Sequence, residues 1–199
     1  TITTTEKVTL IGPGVETKLP ELTIDYTVAG ADLQIQDLAV AKPVGSNNII
    51  DFMGAGNKLT VAGTNLLESN GYTNGAVIHV PEDGELSLMG EGTLYLYKRS
   101  GSAAIGANIN QVSGKIIIDT NIFAKGSQQG AVIGSGATAQ GVGDIIINGG
   151  DVNLMANARG AVIGGGAGGG GGAQAGPAGK VYLNGGTLTL TTDYTGAAI

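Results

Sequence analysis

A five-residue phrase that returns at near-constant spacing constrains this chain more than any other feature. Gly130-Ala131-Val132-Ile133-Gly134 recurs as Gly160-Ala161-Val162-Ile163-Gly164, 30 positions on. Gly75-Ala76-Val77-Ile78 lies upstream, Ser102-Ala103-Ala104-Ile105-Gly106 sits between, and Gly196-Ala197-Ala198-Ile199 follows. Successive intervals are 27, 28, 30 and 36 residues, and a weaker match, Ser46-Asn47-Asn48-Ile49-Ile50, extends the series back by 29. Such a period marks a stacked repeat architecture, in which each unit buries its apolar face only against its neighbours.

Two alternating segments follow within each repeat. The first reads Lys58-Leu59-Thr60-Val61, Glu85-Leu86-Ser87-Leu88, Lys115-Ile116-Ile117-Ile118, Asp144-Ile145-Ile146-Ile147 and Lys180-Val181-Tyr182-Leu183. The second reads Thr93-Leu94-Tyr95-Leu96, Asn121-Ile122-Phe123-Ala124, Asp151-Val152-Asn153-Leu154 and Thr187-Leu188-Thr189-Leu190. Period-two alternation with β-branched residues makes strands that bury one face. Asn148-Gly149-Gly150 and Asn184-Gly185-Gly186 supply the turns between them.

No segment carries a 3.6-residue period, so essentially no helix is expected. Three short strands per repeat then predict an all-β chain, a right-handed parallel β-helix (β-solenoid) of about six coils of 27–36 residues. The hand follows from the preference for right-handed parallel crossovers. A sandwich or barrel would not hold register over five repeats. Leu59, Leu86, Ile116, Ile145 and Val181 are expected to form one inward aliphatic column. The position before them reads Lys58, Glu85, Lys115, Asp144, Lys180, alternating in sign. At ladder spacing opposite charges attract by roughly 0.2–1 kcal/mol per pair, enough to favour one register.

Composition removes the competing classes. Glycine contributes 37 of 199 residues without a Gly-X-Y triplet, so collagen is excluded. About a quarter of the chain is Leu, Ile, Val or Phe, above the range of disordered sequences. A net charge of −6 argues against nucleic acid, which needs a basic footprint. No apolar run reaches the roughly 18 residues of a membrane-spanning helix. With no Cys, disulfides and thiolate metal sites are excluded.

Residues 1–199 are read as a single β-helix domain, with less regular coils over 1–45 and regular repeats over 46–199. The glycine-rich run Gly164–Gly179 sits where the last repeat is longest, and is expected as a surface loop. Ile199 falls in mid-repeat with no capping element in view, so the chain is expected to be a piece of a longer protein.

From about residue 46 onward the repeats resemble a glycine-rich β-helical module of bacterial surface and secreted proteins, within the pectate-lyase-like β-helix superfold. That module pairs a GIHVP coil with glycine-rich coils ending in NGG. The matching stretches are Ala76-Val77-Ile78-His79-Val80-Pro81 and the two Gly-Ala-Val-Ile-Gly coils, which end in Asn148-Gly149-Gly150 and Asn184-Gly185-Gly186. Val77 and Val162 stand where glycine is common, and the Asp119–Asn121 turn is a residue short. The resemblance implies an extracellular or cell-surface location and a role in adhesion or carbohydrate binding. It carries over no catalytic residue.

Catalysis finds little support in the residues themselves. Glycoside hydrolysis needs two carboxylates about 5–10 Å apart across a groove. Glu82, Asp83 and Glu85 lie in or beside a turn, Pro81-Glu82-Asp83-Gly84, that splays acids into solvent. Asp119, Asp144 and Asp151 fall near strand ends, with Asp144 expected in the charge ladder. Arg99 and Arg159, the only arginines, sit at turns. His79 is the only histidine and reads as a surface or edge residue, too little for a histidine metal site or a triad. No phosphate-binding motif accompanies the glycine run. No cofactor is indicated, and calcium on turn Asp, Asn and carbonyl groups stays open without a signal of its own.

Aromatic residues offer the better lead. In Leu94-Tyr95-Leu96-Tyr97 the leucines should point in and the tyrosines out. Phe123 falls in the outward column of Tyr95, and Tyr182 points out on the adjacent face. Sugar rings stack their C–H faces on such residues. Tyr95, Tyr97, Phe123 and Tyr182 are therefore the candidate saccharide-stacking residues, with a polysaccharide or glycan as partner; cross-coil Tyr–Phe stacking that only stabilises the ladder is the competing reading. The expected protein is a non-catalytic β-helix for adhesion or carbohydrate binding. A structural spacer and a polysaccharide lyase or hydrolase are the alternatives.

Overall fold

In the computed structural model the alternating segments are strands and the recurring phrase is a third, shorter strand. The structure describes residues 1–43, 48–71, 74–126, 128–138, 141–157, 159–168, 179–193 and 195–199. β1 (Lys7–Ile11) is followed by β2 (Ile24–Asp25), β3 (Asp32–Gln36) and β4 (Ala39–Lys42). The next coil holds β5 (Ile50–Asp51), β6 (Asn57–Ala62) and β7 (Thr64–Ser69). Two coils then run their longer strands together: β8 (Ile78–His79) with β9 (Glu85–Lys98), and β10 (Ile105–Gly106) with β11 (Lys115–Gly126). β12 (Ile133–Gly134), β13 (Ile145–Gly149) and β14 (Asp151–Ala156) precede β15 (Ile163–Gly164), β16 (Val181–Leu183) and β17 (Thr187–Thr192). No helix occurs among the described residues.

Every ladder between these strands is parallel, which makes the fold a parallel β-solenoid. Ile24, Ile50, Ile78, Ile105, Ile133 and Ile163 pair in succession, so the chain completes five turns between the first and the last. Ile50 thus lies 28 residues before Ile78, not at the spacing of 29 expected for the weaker match. The series also reaches one coil further back, to Ile24, and β3 pairs with β6 without a register shift. The glycine-rich run expected as a surface loop falls for the most part at 169–178, outside the described residues.

The inward columns supply the stability. Leu33, Leu59, Leu88, Ile118 and Ile147 stack through successive coils and are all fully buried. Each such side chain contributes roughly 1.5–3 kcal/mol by leaving water. On the third side, Gly106, Gly134 and Gly164 follow the recurring isoleucine with φ of 131°, 134° and 132°. A Cβ on Gly134 would meet the Gly164 carbonyl oxygen at 2.1 Å. The final glycine of the repeated phrase is therefore demanded by ladder contact as well as by φ.

One expected column needs correction. Leu86, Ile116 and Ile145 do pair and are buried, with Val181 packed half-buried at the end. Leu59 instead pairs with Leu88, because Asn57 is the partner of Leu86. Asn57 sits inward, 1% exposed, and its amide satisfies the backbone around it. Its Oδ1 accepts from Ala31 N at 3.1 Å, and its Nδ2 donates to Gly54 O at 2.7 Å and Glu85 O at 3.2 Å. Asn65 repeats the device below Leu94: Oδ1 accepts from Leu38 N at 3.0 Å and Nδ2 donates to Ala62 O at 2.9 Å.

This register breaks the alternating charge ladder. Lys58 pairs with Ser87, not Glu85. Only Lys115 and Glu85 form the expected ion pair, at 3.1 Å. Asp144 receives the backbone N–H of Lys180 at 3.0 Å rather than its ammonium. Apolar columns and buried amides, which exchange far more free energy than exposed ion pairs, set the register.

Candidate functional site

Strand alternation puts every second residue of β7, the later part of β9, the later part of β11, β14 and β17 on one outer face. Two neighbouring columns cross it. One reads Leu66, Tyr95, Phe123, Asn153, Thr189 and the other Glu68, Tyr97, Lys125, Met155, Thr191. Tyr95, Tyr97 and Phe123 thus lie together on this face. Tyr182 points outward on the adjacent face, where it pairs with Ile146 in the ladder of β13 and β16, in the column that also holds Ile117.

Tyr95 and Phe123 are half-buried and stack, with ring centroids 5.2 Å apart and planes 18° from parallel. Each ring covers one face of the other, and the opposite faces look along the column towards Leu66 and Asn153. That pair forms a low wall across the outer surface. On one side, Phe123 lines a depression of about 300 Å3 with Tyr97, Lys125, Asn153, Met155 and Thr189. On the other, Tyr95 lines one of about 290 Å3 with Val15, Thr64, Leu66 and Tyr97. Tyr97, 40% exposed, borders both.

A third depression of about 170 Å3 opens where the strands end, lined by Ser69, Asn70, Tyr97, Lys98, Arg99, Lys125 and Asn157. Lys98 occupies an inward position of β9, is 2% exposed, and donates to Ser69 Oγ at 3.2 Å. Burial pushes its ammonium down to about 8. Asn157 Oδ1 is buried without a hydrogen-bond partner among the described residues. Glu68 stands near but is paired with Lys18 at 2.7 Å.

The single histidine has a partner that sequence reading missed. His79 Nδ1 lies 2.7 Å from Asp51 Oδ1, its ladder neighbour on β5, and Asn48 Nδ2 donates to Asp51 Oδ2 at 3.0 Å. Burial works to raise the Asp51 carboxyl, but the His79 hydrogen bond and charge and the Asn48 bond outweigh it and hold it below its usual value. Nearby, the ammonium of buried Lys42 donates to the Asn48 carbonyl at 2.9 Å and to Thr23 Oγ1. Burial lowers Lys42, against the opposing pull of Asp25 and Glu21.

Three of the carboxylates weighed for catalysis, Glu85, Asp144 and Asp151, are engaged locally. Glu82 and Asp83 are exposed in a turn closed by Gly84 N to Pro81 O at 2.8 Å. Asp151 accepts from Asn153 Nδ2 at 3.0 Å, and Glu85 pairs with Lys115. Among the described residues no group of three or more His, Cys, Asp or Glu could hold a metal ion. No family model, curated protein or solved structure matches this chain.

Proposed function

We propose that this chain is the carbohydrate-binding, non-catalytic β-solenoid of a bacterial surface or secreted protein, acting outside the cell in adhesion or glycan capture. The observation that supports it is the Tyr95–Phe123 wall with an open depression on either side. A pyranose seated in either depression would stack its C–H surface against the ring that lines it. Asn153, Thr189 and Thr64 supply polar groups around it, as a mostly apolar site with a few orienting polar groups requires.

A spacer that carries another domain is the second reading, and the same rings favour it. Stacked at 5.2 Å, they stabilise the ladder with no ligand present. Screening the protein against plant, mucin and bacterial polysaccharides, with and without Ca2+, separates the two. Retention by at least one polysaccharide is expected; retention by none would leave the spacer.

A further inference from the structure

We propose that the depression formed by Lys98, Arg99 and Lys125 receives the carboxylate or sulfate of an acidic sugar, so that the glycan bound along this face is anionic. This rests on the carbohydrate-binding reading and narrows it to a ligand class.

Charge is the first ground. The chain carries −6 overall with only ten Lys and Arg, yet three of them line this one depression, and no Asp or Glu lines it among the described residues. Lys125 comes from the next coil, where it pairs in the ladder with Tyr97, so the three cations converge from two coils. Lys125 makes no ion pair among the described residues, and Glu68, on the far side of Tyr97 in the same column, is held by Lys18. Asp193 follows β17 beside Asn157 and lies outside the lining. At physiological salt, screening over about 8 Å leaves this local group to dominate over the distant net charge.

Burial is the second. An ammonium held inside the protein and pushed down to about 8 gains most from an incoming anion, which restores the stabilisation that water gave it. Asn157 lines the same depression, and its Oδ1 is buried with no hydrogen-bond partner among the described residues. Position is the third. Tyr97 and Lys125 border both this depression and the one against Phe123, so an anionic residue here would set its neighbour against the ring.

The test is affinity electrophoresis of the protein in gels containing polygalacturonate, a sulfated galactan or neutral galactan, with Arg99→Gln/Lys125→Gln alongside. At least one acidic polymer should retard the wild-type protein roughly tenfold more strongly than neutral galactan, and high salt should weaken it. The two acidic gels tell carboxylate from sulfate. The double variant should lose that preference, so that acidic and neutral polymers retard it alike. Should the double variant not melt like the wild type, Lys125→Gln alone decides by the same comparison. Equal retardation by acidic and neutral polymers overturns the proposal, as does an acidic preference that survives the substitution; carbohydrate binding then stands. Retardation by no polymer overturns both.

Discussion

Asn57 accepts the backbone N–H of Ala31 at 3.1 Å through a side chain buried in the aliphatic column of the solenoid. Its amide fills the place that Leu86, Ile116 and Ile145 hold in the following coils. The coil below has a backbone donor that the ladder leaves without a carbonyl, and the amide supplies one. The cost of a polar group in the core is met because donors and acceptor are all engaged.

Asn57→Leu should therefore destabilise the protein although it completes the apolar column. It strands the Ala31 N–H and removes a donor from Gly54 O and Glu85 O, for a loss of about 2–4 kcal/mol. Urea denaturation of the two proteins measures it. An unchanged midpoint would show that the column tolerates either residue.

Gly134→Ala should be still more disruptive. Its Cβ would sit 2.1 Å from Gly164 O at a φ of 134°, a conformation L residues avoid. A loss above about 3 kcal/mol, or failure to fold, is expected by thermal denaturation. Gly14→Ala is the control: its φ is also positive, but its Cβ would meet nothing within 4 Å.

Lys98 makes stability rise with pH in the alkaline range. Its folded value is about 8 and its unfolded value about 10.4, so between them the unfolded chain binds more protons. Below pH 8 both states are protonated and the burial cost is fully present; it is relieved as pH climbs from 8 towards 10. The gain should be on the order of 1–3 kcal/mol. Lys98→Met should flatten that rise and raise stability at pH 7, as seen by denaturation at several pH values.

His79 holds Asp51 down. In His79→Ala the carboxyl loses its main stabilising partner while its burial remains, so its titration should move upward. Wild-type Asp51 contributes stability that is present above its unfolded value and lost as pH falls through the lower folded one. NMR titration of the carboxyl carbon in both proteins reads the shift; identical curves would refute the pairing.

The columns and the third strand were legible because their signals repeat: a Gly-Ala-Val-Ile phrase and period-two segments need no tertiary information. Asn57 was not legible, since an Asn after a Gly reads as a turn and its side chain bonds to coils 26 residues earlier and 28 residues later. His79 and Asp51 lie 28 residues apart, but the weaker match at a spacing of 29 sets Asp51 opposite Val80, so the sequence pattern hid their pairing. The cationic depression escaped because Lys98 is an inward residue in an alternating strand, where sequence expects an apolar side chain. Its neighbour Lys125 becomes adjacent only through the ladder.

Binding at the aromatic wall is the central claim, and the comparison of wild-type protein with Tyr95→Ala/Phe123→Ala on the retained polysaccharide tests it most directly. Isothermal titration should show binding by the wild type and at least a tenfold loss in the double variant, in line with the removal of two stacking faces. Matched melting curves, or a second comparison with Tyr95→Leu/Phe123→Leu, keep folding out of the result. Equal affinity in wild type and variant would contradict the account and leave the stacked rings a purely structural part of the ladder.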